Sequence, residues 1–325
     1  MTPHPSVRLP PIIAPPVIAP PRIRRDWRYL KPKELRRFKN LLFGSRLIVE
    51  GLYAGRHRSP YKGRSPEFVD YREYFPGDEI RTIDWKAYAR TDRYFVKLFQ
   101  QETDMNCYVL LDCSASMRYG GRETQQIFPD EVAKFDYACQ LTAALAYLLV
   151  KQGDKIALGT FAEKLGPFIP PGGTFPHLYN LMNALERRKP GKPTSVSRAL
   201  HEAFALCKRK GLLVVISDLL DDPAEIFRAL NRYRHRGFAV ILFHLLHEHE
   251  YRLPPLAHVK FVDAENGEIV RARPADIAAE YEERLGAHLK ALADGARARR
   301  IEYQLVTTDT PYSAALERFL RRQGR

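Results

Sequence analysis

Three runs, residues 108–111, 211–216 and 238–243, are apolar almost without a break, and polar or charged residues close each of them. Continuous runs of this length predict central parallel strands covered on both faces. Residues 155–161 and 301–306 add two further strands of mixed character. Between them the apolar spacing turns helical. Over 130–152, Phe135, Ala138, Cys139, Leu141, Ala144, Leu145, Leu148 and Leu149 share a broad buried face, and Gly153 stops the helix. A turn at 170–173 introduces a helix over 177–187, and helices follow at 224–234, 275–299 and 312–322. A hairpin, 259–262 with 268–270 around Asn266-Gly267, is expected to extend the sheet. Strands and helices alternating at this spacing predict an α/β fold, a doubly wound, mostly parallel sheet of Rossmann type.

The chain ahead of residue 106 is patterned differently. Residues 1–22 hold eight prolines and few groups able to form a core, so a disordered tail is expected. Residues 23–50 are a basic arm with a short helix, and 51–105 are a segment of short strands packed on the main domain, which spans 106–325. Within 51–105, Pro76-Gly77 makes a turn, Asp78 caps a helical stretch at 80–88, and 95–99 is a strand leading to the central one. Tyr71, Tyr74, Phe75, Trp85 and Tyr88 are the expected packing residues of this flap.

Charge refines that division. The formal net charge is +14, but residues 1–58 carry 13 Lys and Arg against 3 Asp and Glu, so most of the excess sits in the arm. A basic run holding Trp27 and Tyr29 can track a phosphate backbone or an anionic surface, with a solvated arm as the plainer reading. No run approaches the roughly 20 apolar residues that span a bilayer, and prolines break up any signal-peptide pattern, so a cytoplasmic location is expected. Cys107, Cys113, Cys139 and Cys207 lack metal or disulfide spacing and read as reduced and buried. His244, His247 and His249 can in principle bind a soft or borderline metal, with exposed residues at a strand end and the loop after it as the plainer reading. Neither GxxxxGK[ST] nor GxGxxG is present to hold a nucleotide.

The chemistry concentrates where the first apolar run ends. Asp112, Ser114 and Ser116 stand at alternate positions in DCSASM, one carboxylate and two neutral hydroxyls at the carboxyl end of a central strand, where ligands bind in open α/β sheets. Such a donor set suits a hard divalent cation, Mg2+ or another, that prefers oxygen and keeps water. Two resemblances follow. DxSxS with Met after it is similar to the metal-ion-dependent adhesion site of von Willebrand factor A domains. By that resemblance Thr194, in KPTSVSRAL, and Asp218, after GLLVVIS, complete the ligand set. Helix capping is the competing role for both. GRHRSPYKGRSPEF and REYFPGDEIRTIDWKAYART ahead of that strand resemble the signature of the bacterial family called domain of unknown function 58, over residue 51 to the C-terminus. Asp78, Arg81, Asp84, Trp85 and Arg90 are its signature residues here, in structural or partner-binding roles.

The resemblance implies a binding protein and not an enzyme. It implies an adaptor working with an AAA+ ATPase of the MoxR class in maturing or assembling client complexes, with the metal site docking an acidic side chain of ATPase or client. A metal-dependent phosphohydrolase would want a second acid two residues after Asp112, where Ser114 stands. Binding of nucleic acid or an anionic surface by the basic arm is the alternative.

Overall fold

A computed structural model describes residues 27–31, 67–73, 84–100, 105–121, 128, 129 and 131–323. Strands β1 (Glu67–Glu73) and β2 (Phe95–Gln100) pair antiparallel in a ribbon of their own, joined through helix α1 (Trp85–Thr91). The main sheet begins with β3 (Asn106–Asp112), followed by helix α2 (Lys134–Lys151), β4 (Lys155–Phe161), β5 (Leu165–Gly172) and helices α3 (Phe175–Arg187) and α4 (Val196–Phe204). Then come β6 (Leu212–Ser217), α5 (Pro223–His235), β7 (Ala239–Leu246) and the single turn α6 (Glu248–Tyr251). A hairpin, β8 (Val259–Val262) with β9 (Ile269–Ala272), leads to α7 (Pro274–Ala298), β10 (Glu302–Thr307) and α8 (Tyr312–Gln323).

The strand order β10-β7-β6-β3-β4-β5 makes a doubly wound sheet, parallel throughout except for the antiparallel edge strand β5. Side chains alternate between its faces. Val109, Leu111, Val214 and Ile216 meet α2, α3 and α8, whereas Tyr108, Leu110, Leu213 and Val215 meet α4, α5 and α7. Every residue of β3, β6 and β7 is buried, as continuous apolar runs require.

Four expectations need correction. The turn expected at 170–173 is strand: β5 runs through Pro170 and Pro171 to Gly172, which an edge tolerates because its outer amides need no partner. The hairpin β8–β9 does not extend the sheet. Its four-residue strands form a separate pair and leave Val262, Ile269 and Val270 exposed, too little apolar surface for a place covered on both faces. Strand β7 continues three residues past its expected end, so His244 is buried in the sheet and His247 is buried beyond it. The arm at 27–31 is docked, not solvated. Tyr29 is buried and donates to Asp136, Arg28 pairs with Asp136 at 2.8 Å, and Trp27 stacks on Tyr179. Those two aromatics are therefore committed to packing and not presented to bases. The rest of the arm and tail lies outside the described residues. The four cysteines are free and buried.

Candidate metal centre at the strand tips

The chain lays down β3, moves to one side for β4 and β5, and returns to the other side of β3 for β6. A crevice at such a reversal opens between the carboxyl ends of the two strands. Asp112 is the last residue of β3 and Asp218 follows the last residue of β6, and both side chains are fully buried there. Asp112 Oδ1 accepts the Ser114 amide at 2.8 Å, and Oδ2 accepts the Ser217 hydroxyl at 2.6 Å. The Ser114 and Ser116 hydroxyls lie 3.0 Å apart.

Thr194 is brought in by its loop. The Gly191 amide donates to Cys113 O at 2.9 Å and the Ala115 amide to Lys192 O at 2.8 Å, strapping this loop to the DCSASM turn. Lys192 adopts φ +81°, the left-handed region. The N-cap positions of the two helices belong to other residues, though Ser195 makes no side-chain cap bond. Ser195 occupies the N-cap of α4, while Asp222 caps α5 by accepting the Ala224 amide. Asp221 instead holds the Ser197 amide and hydroxyl. Among the described residues, Thr194 Oγ1 and Asp218 Oδ1 are buried without a hydrogen-bond partner. Two such oxygens are costly unless something else satisfies them.

One participant escaped the sequence reading. Lys134, at the start of α2, is fully buried, and its ammonium donates to Asp218 Oδ2 at 2.8 Å and to Glu250 Oε1 at 2.7 Å. A lysine opening an apolar helix looks like a solvated end residue, and nothing local marks its carboxylate partners 84 and 116 residues away. Ser217 and Glu250 were missed for the same reason. Burial, then the Asp218 charge, pushes the Asp112 carboxyl up to about 7. Burial would also raise Asp218, but the Lys134 ammonium holds it below the usual carboxylate range. Burial raises Glu250 against the same ammonium, and the two carboxylates hold Lys134 above its ordinary value despite burial.

Fully ionised, Asp112, Asp218 and Glu250 carry three negative charges against one on Lys134. The surplus of two is the charge of one divalent cation. The candidate donors, the Asp112 and Asp218 carboxylates and the hydroxyls of Ser114, Ser116 and Thr194, are all oxygen, a set that suits a hard ion such as Mg2+.

This sets a pH dependence. His244 and His247 are depressed by burial to about 3 and about 4, so between there and the ordinary 6.5 the unfolded chain binds more protons and stability rises with pH. Asp112 works in the opposite sense, since over pH 4–7 the folded chain holds the extra proton. A cation must displace that proton. The increment in Tm on adding Mg2+ should therefore be small at pH 5, grow through about 7 and level off by pH 8. Thermal melts with Mg2+ or EDTA across this range measure it; an increment independent of pH would contradict it.

The rim is formed by the hairpin. Glu265, in the β8–β9 turn, accepts the Thr194 amide at 2.8 Å, which places the exposed Val262, Ile269 and Val270 on an element that reaches the Thr194 loop. Of the signature residues, Asp78 and Arg81 lie outside the described residues. Asp84 is buried and caps α1, its Oδ1 accepting the Ala87 amide at 3.3 Å, a role expected of Asp78. The helix accordingly begins at Trp85, later than expected. Trp85 is 56% exposed and meets Tyr88 and Tyr94 edge-on, so it does not anchor a flap. Arg90 is exposed in the last turn of α1.

A family model described as protein of unknown function DUF58 matches residues 70–290. The uncharacterized proteins Rv1480 of Mycobacterium tuberculosis (strain ATCC 25618 / H37Rv) and Mb1516 of Mycobacterium bovis (strain ATCC BAA-935 / AF2122/97) are each 25% identical over 284 residues, 85% of this chain and 86% of theirs. Among solved structures, the conserved hypothetical protein BatB from Bacteroides thetaiotaomicron is similar over 68% of this chain and 98% of its own, at 14% identity and TM-score 0.44. The vWF domain of the type V pili tip protein Mfa5 from Porphyromonas gingivalis covers 68% of this chain and 96% of its own, at 11% identity and TM-score 0.37. No helix among the described residues is long and apolar enough to cross a membrane.

Proposed function

We propose, from the premise that this chain belongs to the DUF58 family, that it is a protein-binding adaptor whose strand-tip site holds a divalent cation and through it a partner's carboxylate. The observation carrying this reading is the pair of fully buried carboxylates, Asp112 and Asp218, at the point where the strand order reverses. Asp112, Ser114, Ser116, Thr194 and Asp218 are the residues that would hold Mg2+. When bound, the ion supplies a Lewis-acidic point that accepts an oxygen ligand from outside.

The chain's own groups set how that point is presented. Ser217 and the Ser114 amide fix both oxygens of Asp112, so the carboxylate is oriented in advance. Hydroxyl donors add no negative charge, which leaves the ion electrophilic toward an acidic side chain. The exposed apolar residues of β8–β9 offer contact area beside it, which a docking surface needs and catalysis does not. The partner we assign is an AAA+ ATPase of the MoxR class together with its client protein.

Capture of such an ATPase by the full-length chain tests the assignment. With Mg2+ present the parent chain should retain the ATPase, and either EDTA or Asp112→Ala should reduce retention at least tenfold. Equal retention under all three conditions would sink the reading.

A further inference from the structure

Beyond the strand tips, a second group of ligand-type side chains converges where Glu131 meets α6. Glu131, Glu248 and His249 each offer one ligand atom, and these atoms lie within 4.8 Å of one another. His249 Nε2 stands 2.7 Å from Glu131 Oε1, and His247 Nε2 stands 3.3 Å from Glu131 Oε2. Donors around a tetrahedral ion with bonds of about 2.0–2.1 Å are separated by roughly 3.4 Å, so an ion here would part the 2.7 Å His249–Glu131 contact slightly and draw the three ligand atoms, all within 4.8 Å, around itself.

Three features separate the group from an ordinary surface ion pair. The His247 side chain is fully buried and the His249 side chain is 15% exposed, and both Nε2 atoms are buried without an aligned hydrogen bond although they face the Glu131 carboxylate. Two carboxylates, Glu131 and Glu248, face each other here beside the two imidazoles. His247 also has a distinct job. Its Nδ1 accepts the His249 amide at 3.2 Å, which puts the ring proton on Nε2, beside Glu131 Oε2. A neutral imidazole in that place orients a ligating carboxylate and does not itself bind metal. A groove of about 580 Å³, lined in part by Glu248, His249, Arg252 and Asp309, gives the group access to solvent.

We infer that Glu131, Glu248 and His249 form a second cation site that takes a borderline transition-metal ion such as Zn2+, with His247 as its positioning residue. One imidazole nitrogen among carboxylates favours Zn2+ over Mg2+, the reverse of the all-oxygen preference at the strand tips. This inference stands apart from the proposed docking role and survives its failure.

Titration of the full-length chain with ZnCl2 in saturating Mg2+ at pH 7.5, followed by calorimetry, tests it. One Zn2+ per chain is expected. His249→Ala and Glu131→Gln should each weaken its affinity by about 10–100-fold or more, and His247→Ala by about 10-fold, while Asp112→Ala leaves it unchanged. Glu248→Gln, at a partly exposed position, keeps the test open if either central variant fails to fold. Substituting Co2+ should give visible absorption that disappears in the same variants. No Zn2+ uptake by the parent, uptake undiminished in the ligand variants, or uptake lost in Asp112→Ala overturns the assignment.

Discussion

Replacing Lys134 with Met should lower the unfolding free energy by about 3–5 kcal/mol, the largest loss expected for any single change at the centre. The ammonium is fully buried and its two contacts, 2.8 Å to Asp218 and 2.7 Å to Glu250, satisfy carboxylates that have little or no water. Met fills nearly the same volume, so the loss measures the stranded charges and not a cavity. Two companions make the test specific. Lowering the pH to 5 should shrink the deficit, because the stranded carboxylates can then take up protons. Lys134→Met combined with Asp218→Asn should recover part of it, since one of the uncompensated charges is gone. Urea unfolding at pH 7.5 in EDTA gives the number directly; a deficit below about 1 kcal/mol would mean that water reaches these groups, as at a surface pair.

Asp112→Asn should act in the opposite direction on the metal-free chain and still abolish the response to Mg2+. Burial and the adjacent Asp218 charge both disfavour the Asp112 carboxylate, so a neutral isostere relieves repulsion and keeps Tm in EDTA equal to the parent's or above it. The carbonyl oxygen of Asn still accepts the Ser114 amide, so the turn survives. What disappears is one of the two negative charges that the fit to a divalent ion requires. At a Mg2+ concentration 100 times Kd the parent gains about 2.7 kcal/mol, and the variant should gain almost none of it. Melts of both chains with Mg2+ and EDTA decide the matter, and a Mg2+ increment equal in the two would remove Asp112 from the site. Asp218→Asn offers a contrast. It strips Lys134 of a partner and should therefore destabilise the chain even without the ion.

The two variants also show how legibility divides. Asp112 was readable because a continuous apolar strand has a definite end, and ligands in an open sheet bind just beyond that end. Thr194 and Asp218 were reachable only through the resemblance. In the structure the N-cap positions of α4 and α5 belong to Ser195 and Asp222. Lys134 was not readable at all. Its burial is tolerable only because Asp218 and Glu250 arrive from two other loops, and no window of sequence contains all three. The histidines were misjudged because strand β7 is held by β6 and β10 past the point where its own apolar run ends. Pairing with neighbours, not local pattern, decides where an inner strand stops.

From the residues alone came the order of strands and helices apart from the edge strand β5, the apolar faces, and one oxygen-rich strand tip, since each follows from periodicity within a few turns of chain. The register of the sheet, the docking of Trp27 and Tyr29, the separate hairpin at the rim and the buried ammonium between two carboxylates were set only by the tertiary fold. Each joins groups tens of residues or more apart, and whether such a contact stabilises depends on burial and geometry that exist only once the sheet has closed around them.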